Sequence, residues 1–188
     1  MLFNSYEFIF IFLPISLFGF HLIGKRYDHR VAITWLVAVS LFFYGWWNPA
    51  YIGLMLFSII FNYNFGILLS RDTNYKLSKK ALIIIAVLTN LIMLAYFKYA
   101  NFFIDNLNLL SGNSFNFQKI ILPLAISFFT FQQIAYLVDA YRSKTKEYGF
   151  LHYCLFVTFF PQLIAGPIVH HKEMLSQFSK DMTYKLRS

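Results

Sequence analysis

The sequence predicts an all-α, polytopic integral membrane protein, and three observations predict it. Of 188 residues, 59% are apolar and only 13% are charged, against roughly a quarter charged in a typical soluble domain. Aromatics reach 21%, led by 24 Phe and 13 Tyr. The apolar residues also fall into runs long enough to cross a bilayer, which takes about 20 residues at 1.5 Å each. A soluble domain of this size cannot hide so many apolar side chains, because small domains bury only part of their surface. A disordered chain and a disulfide scaffold are excluded on the same grounds. Cys154 is the sole cysteine, which leaves no internal disulfide and no cysteine-based metal cluster. The net charge of +8 comes from cations placed between apolar runs. It reads as a membrane-orientation signal and not as a nucleic-acid face.

Six segments follow in order. The first run, Tyr6 to Gly24, has no Lys or Arg before it and no small-residue cleavage site after it, so it reads as a span and not as a signal peptide. The second, Val31 to Trp47, ends in Tyr44-Gly45-Trp46-Trp47-Asn48-Pro49; aromatics of this kind sit at the headgroup level, and Asn-Pro signals a turn. A third run covers Tyr51 to about Leu69, a fourth Ala81 to Phe97, and a fifth Ile120 to Val138. Between the fourth and fifth, the stretch from Lys98 to Lys119 is polar and is expected to be the longest outer loop, with Phe102, Phe103 and Ile104 dipping into the interface. The sixth segment, Leu151 to Val169, is interrupted by Pro161 and by Gly166-Pro167. Proline removes a backbone donor and clashes with the preceding turn, so this segment is expected to be broken or re-entrant. The fold class is thus about five spans plus that sixth segment and an interfacial helix, in a single membrane domain over 1–188.

Basic residues set the orientation. The gaps after the first, third and fifth runs hold ten Lys and Arg, whereas the N-terminus and the other two gaps hold only Lys98 and Lys119. The positive-inside rule then puts the N-terminus outside the cell membrane and the basic loops in the cytoplasm. A re-entrant sixth segment would return Lys172, Lys180, Lys185 and Arg187 to the same side. Within 171–188, Met174, Phe178, Met182 and Leu186 recur every four residues. That spacing fits an amphipathic helix on the cytoplasmic membrane surface or, equally, a soluble connecting helix.

Polar residues within spans face protein or a cavity, because hydrocarbon offers them no partner. Ser58, Asn62 and Gly66 form one stripe in the third run, at a spacing that suits close helix packing. In the fifth, Gln132, Tyr136 and Asp139 fall within about 60° of arc and could wall a polar cavity; for Asp139 alone, a pair with Arg142 across one turn at the interface is the simpler reading. Cys154, Thr158 and Gln162 share a face of the sixth segment beside Pro161, where site-building and packing are equally balanced. The five histidines, His21, His29, His152, His170 and His171, read as interfacial or solvated. Adjacent His170 and His171 point about 100° apart and lack the i, i+4 geometry of a metal-binding pair. No phosphate loop, nucleophile elbow, internal repeat or zinc motif is present.

Two stretches carry a resemblance. Leu122-Pro123-Leu124-Ala125-Ile126-Ser127-Phe128-Phe129-Thr130-Phe131-Gln132-Gln133-Ile134-Ala135-Tyr136 runs on through Asp139 to Arg142, and Phe159-Phe160-Pro161-Gln162-Leu163-Ile164-Ala165-Gly166-Pro167-Ile168 leads to His170-His171. With Phe43-Tyr44-Gly45-Trp46 and Lys98-Tyr99, they resemble the membrane-bound O-acyltransferase (MBOAT) family, in the bacterial branch of alginate O-acetylation and teichoic-acid D-alanyl transfer proteins. The resemblance implies transfer of an acyl group, in this branch acetyl, to hydroxyls of an extracytoplasmic polysaccharide such as alginate. It implies a tunnel in which an activated, thioester-type donor from the cytoplasm meets an exopolysaccharide or a partner transferase on the outer side, with no bound cofactor and no metal. Gln132, Gln133, Tyr136, Asp139, Arg142, Pro161, Gln162, Gly166, Pro167, His170 and His171 match segments that shape this tunnel and its cytoplasmic approach. The family's histidine base lies in a second half for which this sequence has no counterpart, so no catalytic residue is carried over and a missing C-terminal half is expected as partner. The rival readings are a non-catalytic membrane scaffold or truncated remnant and, more weakly, a small transporter, against which the lack of an inverted repeat counts.

Overall fold

The computed structural model describes residues 4–70, 78–111, 119–142 and 149–165. Helices account for all of its regular structure among these residues. A π-helical turn, Phe8–Phe12, leads into α1, Leu13–Arg26; α2 is His29–Trp47, α3 Ala50–Ser70, α4 Lys79–Ser111, α5 Ile126–Tyr141, α6 Phe150–Thr158 and α7 Phe160–Ala165. Four helical stretches are long and apolar enough to cross a membrane: Phe8–Arg26, His29–Trp47, Ala50–Ser70 and Lys79–Leu110. The protein is a multi-pass, all-α membrane protein in a lipid environment.

Helix starts follow local chemistry. Pro14 is the exception: it follows the π-helical turn Phe8–Phe12 inside one continuous helical stretch, Phe8–Arg26, where proline removes a donor from the helix interior and the wider π turn precedes it. Glu7, fully exposed ahead of the first span, has its carboxyl held below the usual range by a backbone hydrogen bond and, secondly, by the Ser5 hydroxyl. Apolar faces turn outward along each long helix: Phe18 on α1, Phe57 on α3 and Ile92 on α4 are all more than half exposed. Such faces meet lipid tails as readily as protein. The inward faces are narrower. On α4, Leu82, Ala86, Asn90 and Leu94 are buried at strict four-residue spacing, one ridge of the helix.

Three boundaries differ from the sequence reading. The expected outer loop from Lys98 is helical as far as Ser111, so α4 has 33 residues. At 1.5 Å per residue it is about 50 Å long, well beyond a hydrocarbon core of about 30 Å. Within α4, Asn106 Nδ2 donates back to Phe102 O at 2.7 Å, which pairs the amide inside the helix. The second difference lies at the fifth run, expected from Ile120, where the helix begins only at Ile126. Pro123 disfavours helical geometry in the residue before it, and Ala125 adopts a left-handed conformation, φ 54°. Side chains satisfy the backbone that the helix leaves free: Asn101 Nδ2 donates to Ile120 O (2.7 Å), Ile120 N donates to Asn101 Oδ1 (3.0 Å), and Tyr51 Oη donates to Ile121 O (2.5 Å). α5 is therefore 16 residues long.

The sixth segment is broken, but at Phe159 and not at the proline. Phe159 has ψ 103°, and Pro161 falls in the first turn of α7, where proline is tolerated. α6 has nine residues, about 14 Å of helix, too short to cross by itself. The interfacial helix expected over 171–188 and the Gly166-Pro167 interruption lie outside the described residues.

Candidate functional site: a buried amide layer beside a broken helix

The third, fourth, fifth and sixth helices meet around a layer of buried polar side chains, Ser58, Asn62, Asn90, Gln133 and Tyr153; Thr130 and Gln132 on α5 and Gln162 on α7 are buried as well, all 8% exposed or less. The sequence places them there by periodicity. Ser58, Asn62 and Gly66 recur every four residues on α3, and Asn90 lies on the buried ridge of α4. The side chains of Asn62 and Asn90 bond reciprocally: Asn90 Nδ2 donates to Asn62 Oδ1 at 2.6 Å, and Asn62 Nδ2 lies 3.1 Å from Asn90 Oδ1. Asn62 Nδ2 also donates to Gln133 Oε1 at 2.6 Å, and that oxygen lies 3.3 Å from Ser58 Oγ and 3.4 Å from Tyr153 Oη. Gln133 is thus the point where α3, α5 and α6 converge. At Gly66 the space is closed by a ring: an added Cβ would overlap Tyr136, and Tyr136 in turn packs on Tyr153 at 4.5 Å between centroids.

The stripe read as helix packing does pack, against Gln133 and Tyr136 of α5. Gln132 and Tyr136 are buried as their shared arc requires, whereas Asp139 is only half-buried near the end of α5 and Arg142, the residue capping that helix, is exposed. The arc therefore splits into a buried part and a rim. Cys154, Thr158 and Gln162 are all buried; Thr158 Oγ1 donates to Cys154 O at 2.8 Å, the back-bond that lets a hydroxyl sit inside a helix. Pro161 is partly buried at the start of α7. Gly166, Pro167, His170 and His171 lie outside the described residues. Asn90, Thr130 and Tyr153 were missed by sequence reasoning, although an Asn in the middle of an apolar run was itself a signal.

Within this layer and elsewhere in the bundle, some buried polar atoms are left unpaired. Both carboxamide atoms of Gln132, Nε2 of Gln133 and Gln162, Oγ1 of Thr130 and Oη of Tyr44 are buried with no hydrogen-bond partner among the described residues. Each such group costs about 1–3 kcal/mol if it stays dry. Beside it, the broken backbone at Phe159 is stabilised by protein. Phe160 N donates to Ser40 Oγ at 3.4 Å, and the Phe160 ring sits among Phe8, Phe12 and Phe43 at 5.2–6.1 Å. Non-helical backbone at membrane depth is tolerated only under such cover. Of the orphaned atoms, Gln162 Nε2 lies three residues beyond this break, on α7.

A polytopic helical protein with buried polar groups inside its bundle is compatible with more than one class of membrane protein, and comparison with known proteins narrows the choice. The chain is 42% identical to a peptidoglycan O-acetyltransferase of Helicobacter pylori over 95% of its own length and 38% of that protein's. It is 36% identical to a "probable alginate O-acetylase AlgI" of Pseudomonas aeruginosa over 95% of its length and 35% of the relative's, and 34% identical to that of Azotobacter vinelandii over 95% and 36%. It is thus homologous to bacterial O-acetyltransferases of the MBOAT family. The chain spans little more than a third of the length of these relatives. No family model matches the chain, and no solved structure does.

Proposed function

We propose that the protein to which this chain contributes transfers an acetyl group from an activated, thioester-type donor on the cytoplasmic side to hydroxyls of a polysaccharide outside the inner membrane. The observation that carries this reading is homology along 95% of the chain to relatives named for O-acetylation of two different extracytoplasmic polysaccharides, peptidoglycan and alginate. In the reaction the acceptor oxygen attacks the acyl carbon, the C–S bond breaks, and the hydroxyl proton goes to a base before leaving with the thiol. A sugar hydroxyl is a weak nucleophile, so a base poised near neutrality is needed. The family resemblance assigns that base to a histidine beyond these residues.

Within this chain the amide layer serves as tunnel wall. Gln132 offers an unpaired donor atom and an unpaired acceptor atom in a dry setting, suited to the acyl carbonyl and to a sugar hydroxyl; Gln133 and Tyr136 fix its helix, and the buried, unpaired Nε2 of Gln162 beyond the break is a second donor. Asp139, Arg142 and Pro161, with Gly166, Pro167, His170 and His171, form the cytoplasmic approach for the donor. The N-terminus faces outward, toward the acceptor polymer or a partner transferase that receives the acetyl group.

The test is expression of the complete gene in a host deficient in polysaccharide O-acetylation, with base-released acetate measured on purified muropeptides and on exopolysaccharide. Acetate above the vector control on either polymer supports the reading and identifies the acceptor class; none on both overturns it. Orientation is checked separately with reporter fusions. A fusion at Ser78 should read cytoplasmic and one at Leu110 external; the reverse pattern would sink the assigned topology.

A further inference from the structure

On the outer side of the bundle, away from the amide layer, α1 and α2 enclose an open groove of about 410 Å³, lined by Pro14, Ile15, Phe18, Gly19, Leu22 and Trp35. Its floor is fixed. Gly19 has no Cβ, and one added there would run into the Trp35 indole, so the ring lies directly against α1. Trp35 Nε1 donates to Ser16 O at 3.1 Å, which uses the one polar atom of the indole and leaves an apolar surface. Ile15, Phe18 and Leu22 rise along the groove, each more than half exposed.

The same helical face then changes character. Lys25 and Arg26 follow Leu22 by three and four residues, so they continue its face, about 6 Å further along the axis. Both are exposed, and α1 ends at Arg26. The one acid of the turn, Asp28, lies toward His29 at 3.9 Å. An apolar channel of membrane depth therefore opens at one end onto two cations. This charge complementarity selects an amphiphile with an anionic head over a neutral one, and over a protein helix, which would need a polar or acidic end placed there.

We propose that the α1–α2 groove binds one anionic phospholipid, its acyl chain lying along Ile15, Phe18 and Leu22 over Trp35 and its phosphate held by Lys25 and Arg26. Basic clusters at the cytoplasmic ends of spanning helices bind such headgroups. The site is independent of the acetyl-transfer reading and would stand if that reading failed.

The test uses the full-length native protein in vesicles doped with phosphatidylglycerol or phosphatidylcholine, each carrying the same photoactivatable acyl chain, with labelled peptides mapped by mass spectrometry. Phosphatidylglycerol should label the Pro14–Leu22 region about tenfold more than phosphatidylcholine. The K25A/R26A variant should bring the ratio close to one, K25R/R26K should keep it, and K79A/K80A, at another basic turn, should leave it unchanged. Equal labelling by both lipids in the native protein would show ordinary lipid contact and overturn the proposal. So would the absence of labelling, which would mean that protein covers the groove, or a ratio indifferent to K25A/R26A.

Discussion

Two buried regions hold this bundle together by different means. Around Phe160, the π-helical turn, α2 and α7 meet mainly through rings, Phe8, Phe12, Phe43 and Phe160, with Val39 and one hydrogen bond from Phe160 N to Ser40 Oγ. Around Gln133, α3, α4, α5 and α6 meet through amides and hydroxyls. Lipid tails are as apolar as leucine, so neither region gains from hiding apolar surface from water in the way a soluble core does. The ring cluster gains from shape: T-shaped pairs such as Phe12–Phe160, at 5.2 Å and 75°, add attraction at short range. The amide layer gains direction. A reciprocal Asn62–Asn90 pair can form at one helix register only, because a slip of one residue turns each side chain by about 100°.

The contrast orders the expected effects of substitution. Phe160→Ala should be the most damaging, at about 3–5 kcal/mol, since it empties the centre of the ring cluster and uncovers the break at Phe159. Gly66→Leu should follow at about 1–3 kcal/mol, because the new side chain must displace Tyr136 and with it Tyr153. Both are measured by denaturing-detergent titration of the purified full-length protein in micelles. If Gly66→Leu proves the costlier, close approach of α3 to α5 matters more than ring packing, and the order of the two regions is reversed.

The amide layer should yield less per residue than its hydrogen bonds suggest. Asn62→Ala leaves Asn90 and Gln133 short of a partner, yet hydrogen bonds between membrane helices average only about 0.6 kcal/mol in coupling and reach about 1.7. A double-mutant cycle of Asn62→Ala with Asn90→Ala should therefore return a coupling of about 0.6–1.7 kcal/mol. A value at zero would mean that the reciprocal pair does not form and that the layer is held by packing alone.

How much of this was legible in the sequence follows the same division. The first four spans were readable because apolar runs act locally, and Pro161 signalled a break in the sixth segment although the break falls at Phe159, two residues earlier. The Ser58–Asn62–Gly66 stripe was readable because small and amide residues at four-residue spacing have few other uses in a span. The partner helices were not readable. Asn90 sits in an apolar run with no local sign of which helix it meets, and Gln133 lies off the arc of Gln132, Tyr136 and Asp139 yet receives the hydrogen bonds. The start of α5 was misplaced because Ile120 and Ile121 are apolar, whereas their backbone is held by Asn101 and Tyr51 from distant positions. Such contacts are set by tertiary structure and leave no period behind.

The smallest expected change in stability is the most informative about function. Gln132 is 1% exposed, and neither of its carboxamide atoms has a partner among the described residues, although Gln133 beside it is bonded to two helices. If the layer existed only to join helices, an unpaired amide there would be pure cost, and Gln132→Met, of similar length and with no unpaired donor, should stabilise the protein by about 1 kcal/mol while acetate transfer stays at the native level. If Gln132 instead faces the acyl group, the same variant should gain that stability and lose about 10- to 100-fold in transfer, as when one donor to a reacting carbonyl is removed. The two outcomes separate on acetate release measured beside the titration midpoint. The second is expected, because Gln132 differs from the other orphaned carboxamides in having both its donor and its acceptor atom buried and unpaired among the described residues, whereas Gln133 next to it accepts from Asn62.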